Sequence, residues 1–177
     1  MQLPSYPYWS LLIVKGVHDM KIRDLFENWG LTGIKLNFKF AEIEFSPSPE
    51  DEIAAWEMYV ELITRITTQK LHENTGDEIT ALKSIHKMFA ITRDILKVHG
   101  RKCDAFTKIA IIVLNQIIRP FTAKWHKLSI DGSLNNIQSI IHFRDELEEL
   151  QINLRKYSGM LAEMAKVEDL TNITMEE

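Results

Sequence analysis

The sequence predicts an all-α protein: a bundle of four long helices carrying a small α+β appendage at its N-terminus. Three observations predict this. Only five prolines and seven glycines occur in 177 residues, which suits long helices joined by few loops. Helix start and stop signals recur along residues 47–166. The last helical stretch repeats apolar residues at the alternating three- and four-residue spacing of a heptad seam.

The appendage, residues 1–46, is mixed. "QLPSYPYWSLLIV" combines two prolines with three aromatics and reads as a short strand or a docking arm. "KIRDLFENWG" (Lys21–Gly30) reads as a short helix that Gly30 terminates. In "GIKLNFKFAEIEF", Ile34, Leu36, Phe38 and Phe40 alternate with Lys35, Asn37 and Lys39, the period of a half-buried strand. The phase slips at Phe40–Ala41, which predicts a bulge or bend before Ile43 and Phe45.

The first long helix starts at "SPSPEDE". Ser48 suits the cap, Pro49 the first helical position, and Glu50, Asp51 and Glu52 the positive end of the dipole. It is expected to run to about Gln69 with Ile53, Trp56, Val60 and Ile63 inward, Tyr59, Leu62 and Ile66 widening that face, and Glu61 paired with Arg65. Thr75 and Glu78 form a capping box for the second helix. That helix buries Leu82, Ile85, Phe89 and Leu96 and stops at Gly100. The third begins near Asp104 and is apolar almost all round from Ile109 to Leu114, so it is expected to be the most buried. Pro120 must kink or restart it. "SIDGS" is a turn and Ser133 is the expected cap of the fourth helix. Ile140, Phe143, Leu147, Leu150, Leu154, Tyr157, Leu161 and Met164 form its seam, read as the packing edge of a four-helix bundle rather than an intermolecular coiled coil. Residues 167–177 form an acidic tail, expected to fray.

Composition narrows the function. Apolar residues make up 45% and charged residues 26%, as in an ordinary globular domain. Net charge is −4, so any nucleic-acid contact must be local rather than a broad basic surface. The lone Cys103 cannot form an internal disulfide, excludes a cysteine-rich zinc site and fits a cytoplasmic location. "SLLIV" and "IAIIVL" are far shorter than the ~20 apolar residues of a spanning helix. Membrane contact is therefore not expected. No Gly-rich phosphate loop, dinucleotide fingerprint or nucleophile elbow occurs, and no metal-binding motif. His142 and Glu146, one turn apart, read as an exposed helix-face pair rather than metal ligands. No metal or cofactor is expected.

The stretch "IIRPFTAKWH" concentrates candidate chemistry. Arg119 and His126 are separated by seven residues, ~700° of helix, so they nearly share a face about 10 Å apart along the axis. Lys124 and Lys127 add local positive charge, and Trp125 can stack on a base. Asn115, four residues before Arg119, needs a partner. It can orient Arg119 or satisfy a contact between helices, and the latter is the expected use. Each residue also has a plain structural reading: an arginine on helix-end carbonyls, a core tryptophan, a solvated histidine.

Arg119-PFTAKW-His126 on a four-helix body resembles the HEPN superfamily of small helical domains in prokaryotic defence, toxin–antitoxin and CRISPR systems. The resemblance covers roughly residues 48–165. It implies an RNA-contacting protein, a metal-independent endoribonuclease when active. Arg119 would then steady the phosphate, and His126 would assist the 2′-hydroxyl across a homodimer. Other members are non-catalytic binding modules. The chain is also similar to small helical accessory proteins of RNA-targeting type VI CRISPR systems, whose membrane anchor it lacks, and this implies a protein partner from a defence system. Arg119 is followed by Pro120, where many members carry a polar residue. Arg93-Asp94…His99 has the polar follower and is the secondary candidate, although its spacing separates the two side chains by about a third of a turn. Arg65…His72 has the spacing but runs into a loop. The alternative is a non-enzymatic interaction module that assembles through the heptad face and the aromatic arm. A third reading is a membrane-associated oligomer in which the arm replaces the anchor.

Overall fold

The computed structural model describes residues 20–31, 33–74 and 76–173. The aromatic arm before Met20, Thr75 of the expected capping box and the last four residues lie outside them. The chain is mostly helical with one small antiparallel sheet. β1 (Met20–Lys21) pairs with β2 (Glu44–Phe45), Met20 opposite Phe45. Between them lie α1 (Ile22–Asn28) and α2 (Phe38–Ala41), and after them α3 (Pro49–Ile63), α4 (Glu78–His99), α5 (Asp104–Val113), α6 (Arg119–Ile130) and α7 (Ile137–Met164).

The strand expected along residues 34–45 is mostly absent. Asn37 accepts a hydrogen bond from the Phe40 amide and caps α2, so its local side-chain bond overrides the alternation, leaving Phe38 exposed. The segment before it is held by Gln116, whose amide exchanges two hydrogen bonds with the Lys35 backbone. α1 ends as expected, with Gly30 at φ 60°. Its Ile22, Leu25 and Phe26 join the same apolar core as the long helices.

The α3 start follows the sequence closely: Ser48 and Asp51 form a reciprocal capping box and Pro49 occupies the first turn. The helix stops at Ile63, earlier than expected, because Thr67 and Thr68 both donate their hydroxyls to the Leu62 carbonyl. Its buried face is also rotated from the expected one. Ala54, Ala55, Met58, Tyr59 and Leu62 face inward, while Ile53 and Trp56 are 50% and 46% exposed. The Tyr59 hydroxyl accepts from the Leu170 amide at 2.6 Å. The same bond ties Leu170, in the stretch expected to fray, to α3, and Thr171 beside it is buried. Gly159 of α7 leaves room for the Trp29 ring, against which any Cβ would collide.

α4 is capped by Asp77, which accepts from the Thr80 amide. Glu78 instead pairs with Arg144 of α7, whose guanidinium also donates to the carbonyls of Leu71, His72 and Gly76. α7 is capped by Asn136 rather than Ser133, which belongs to a 3₁₀ turn. Within the heptad seam Phe143, Leu147, Leu150, Leu154, Tyr157, Leu161 and Met164 are buried inside this chain and Ile140 is half-buried. The alternative that used this face for assembly is therefore corrected: Leu147 and Leu154 pack against the chain's own helices. No helix among the described residues is long and apolar enough to cross a membrane.

α5 and α6 form one rod interrupted by a π turn, Leu114–Ile118. Its register is visible in the Arg119 amide, which donates to the Leu114 carbonyl five residues back. This is how the rod accepts Pro120. The proline has no N–H and its ring would meet a carbonyl in a straight α-helix. The widened turn relieves that conflict and lets α6 restart with Pro120 in its first turn. Ile111 remains 42% exposed, so the rod is not buried all round.

Candidate nucleic-acid interface

α6 presents two sides to its neighbours. On the α7 side, Trp125 is 1% exposed and packs edge-on to Phe143 at 5.0 Å. Its Nε1 donates to Glu146 at 2.9 Å. The expectation that Trp125 stacks on a base is therefore corrected: the ring is core, placed there because four residues separate it from Phe121 on the same stripe. Lys124 donates to the same Glu146, and His142 approaches it at 2.9 Å. Burial raises the Glu146 carboxyl. Hydrogen bonds from Lys124 and Trp125 and the nearby charges outweigh this and hold it below its ordinary value. An adjoining cavity of about 470 Å³ is lined by Lys124 together with Glu146 and Glu149. Two carboxylates make that cavity a poor host for a phosphate.

The side of α6 facing α4 differs. Arg119 is exposed, and its Nε donates to Asn115 Oδ1 at 3.0 Å. Its guanidinium lies 4.9 Å from the Phe89 ring centre. Asn115 is thus solvent-facing and orients Arg119, rather than serving the expected contact between helices. One turn on, the buried Thr122 turns its hydroxyl back to the Ile118 and Arg119 carbonyls. His126 follows on the same face, exposed, and lines a cavity of about 380 Å³ between α6 and α4. The walls are His126, Thr122 and Ser129 from α6 and Lys83 and His86 from α4, over Ile79 and Leu82. Among the described residues no carboxylate lines it. Lys127 is exposed on the same helix.

The secondary candidates separate. Arg93 and Asp94 are exposed on α4, whereas the His99 side chain is largely buried with Nε2 3.1 Å from Glu57 of α3, outside hydrogen-bond alignment. That contact carries His99 to another helix. Arg65 pairs with Glu61 as expected. Among the described residues no group of three His, Cys, Asp or Glu is placed to hold a metal ion.

His86 and Lys83 were not identified from sequence. Their only signal is helix phase: His86 follows Leu82 by four residues and precedes Phe89 by three, so it borders the inward stripe. Which helix it faces is decided by packing between segments about forty residues apart. Comparison of the chain with protein-family models, with curated proteins and with solved structures returns no match.

Proposed function

We propose that this protein is a HEPN-like, defence-associated protein that contacts RNA through the groove between α4 and α6, and that it cleaves RNA without a metal as a homodimer. The observation that carries the reading is the charge of this groove. In an acidic chain, its lining holds Lys83, His86 and His126 with no carboxylate among the described residues, and Arg119 stands beside it on Phe89. A phosphodiester is a monoanion, and a guanidinium held by Asn115 and an aromatic face is pre-oriented to bind it through paired hydrogen bonds. Imidazole changes charge near neutral pH and can take the proton of an attacking 2′-hydroxyl. The four long helical stretches, α3, α4, the α5–α6 rod and α7, suit the bundle that the resemblance implies. Lys124 and Trp125 are not part of the contact, since both are engaged with Glu146.

The test is fluorescence anisotropy of single-stranded RNA, with gel analysis of cleavage in EDTA. Wild type should bind with an affinity that falls as salt rises, with a shallow slope because few phosphates are contacted. Arg119→Ala should weaken binding about tenfold, the equivalent of ~1.4 kcal/mol. His126→Ala should abolish cleavage while leaving binding within a few-fold. An Arg119→Ala variant that binds like wild type refutes the reading. The interaction-module alternative keeps one supporting observation: Ile130, Ile137 and Ile141, at the ends of α6 and α7 nearest their connection, are all exposed. It predicts self-association without RNA cleavage, lost when Ile137 and Ile141 become Lys.

A further inference from the structure

We propose that His86 of α4 is a second catalytic residue of this groove, acting as the acid opposite His126; the proposal rests on the RNA reading above. The two imidazoles come from different helices and line the same cavity. Phe89 ties them to the phosphate-binding group. Its ring centre lies 5.6 Å from that of His86 and 4.9 Å from the Arg119 guanidinium, so one aromatic side chain spaces the cation from the imidazole.

The histidines of the helices divide into two kinds. His99 and His142 each meet a carboxylate, Glu57 and Glu146. Among the described residues His86 and His126 have neither an ionic partner nor a side-chain hydrogen bond, so both are available to a ligand. Lys83 of α4 lines the cavity with the pair, Arg119 of α6 stands over the neighbouring Phe89, and among the described residues no carboxylate lines the cavity to compete for either imidazole.

Two imidazoles around one phosphodiester allow a balanced transesterification. The RNA 2′-oxygen attacks phosphorus and gives its proton to neutral His126. The bond from phosphorus to the 5′-oxygen breaks, and that oxygen takes a proton from protonated His86. The products are a 2′,3′-cyclic phosphate and a free 5′-hydroxyl. Nothing is oxidised or reduced, and exchange with water returns both imidazoles to their starting states. Arg119 balances the charge that builds on the phosphoryl oxygens.

The experiment measures pH–rate profiles in EDTA for wild type, His86→Ala and His126→Ala. One substrate is an RNA oligonucleotide, the other a nucleoside 3′-(4-nitrophenyl phosphate), whose leaving group needs no proton. Wild type should give a bell-shaped profile on RNA. His86→Ala should lose roughly 10²–10⁴-fold on RNA and lose the alkaline limb, yet stay within a few-fold of wild type on the nitrophenyl ester. His126→Ala should fail on both substrates. His86 is exposed, so its removal should leave the melting temperature unchanged, and this is checked in parallel. If wild type cleaves RNA and His86→Ala keeps both its rate and its bell, the assignment of His86 is overturned while the RNA reading stands. If His86→Ala loses equally on both substrates, the acid role is overturned in favour of a role in positioning. If wild type cleaves neither substrate, the nuclease reading falls together with this one.

Discussion

Replacing Asp51 with alanine should be among the most damaging single changes away from the apolar core. The carboxylate is 2% exposed and joins two helix starts. One oxygen accepts from the Ser48 amide and hydroxyl, both at 2.8 Å, closing the α3 capping box. The other accepts from the Phe106 amide at 2.8 Å. That amide is in the first turn of α5, whose own cap position, Cys103, makes no side-chain capping bond. Alanine removes the box, worth about 1 kcal/mol. It also strands the buried Phe106 N–H, worth about 1–3 kcal/mol. The expected loss is about 3 kcal/mol. At 2–4 °C per kcal/mol for a chain of this size, the melting temperature should fall by roughly 6–12 °C. Asparagine keeps one acceptor oxygen and turns an N–H₂ towards Ser48, so it should recover part of the loss. Urea titration at pH 7, followed by far-ultraviolet circular dichroism, reads both variants. If alanine costs less than about 0.5 kcal/mol, the level of an ordinary surface change, the account of Asp51 as a shared cap is refuted.

Four further outcomes follow from single contacts. Glu146 is held below its ordinary value in the folded state, so its contribution is present above the ordinary carboxylate range and fades as pH falls through the lower folded value. Urea midpoints measured from pH 6 downward should therefore drop less steeply in Glu146→Gln than in wild type. Arg144→Ala should cost about 2 kcal/mol and speed amide hydrogen exchange selectively in residues 64–77, because that loop loses three carbonyl contacts and the Glu78 pair. Leu154→Ala, at 0% exposure on the seam, should cost about 3 kcal/mol in chemical denaturation without changing the mass measured by light scattering. Tyr157→Phe should raise stability by about 1 kcal/mol in the same titration, since the buried hydroxyl has no hydrogen-bond partner among the described residues and burial already pushes its pKa up.

Local rules were legible wherever one short stretch held the whole interaction. Ser48-Pro49 with its acidic first turn starts α3, Gly30 and Gly100 end their helices with positive φ, and the Glu61–Arg65 pair forms one turn apart. The seam from Phe143 to Met164 is buried as its period required. Each of these depends on backbone geometry within about one turn, or on a repeat long enough to average out single exceptions. Errors came where a local signal competed with another local bond. Asn37 turned an alternating stretch into a helical turn, and the hydroxyls of Thr67 and Thr68 ended α3 early.

For the candidate site, sequence alone determined that Arg119 and His126 share a face, because seven residues nearly complete two helical turns, and that Pro120 must disturb the rod before them. Tertiary structure decided the rest. It sent Trp125 into the core, engaged Lys124 with Glu146, drew His99 to α3 and brought His86 and Lys83 to the same cavity as His126. The physical reason is distance along the chain. Helix phase fixes which residues of one helix point together, whereas the helix they meet depends on how the whole apolar surface is shared among all of them, and no single segment contains that information.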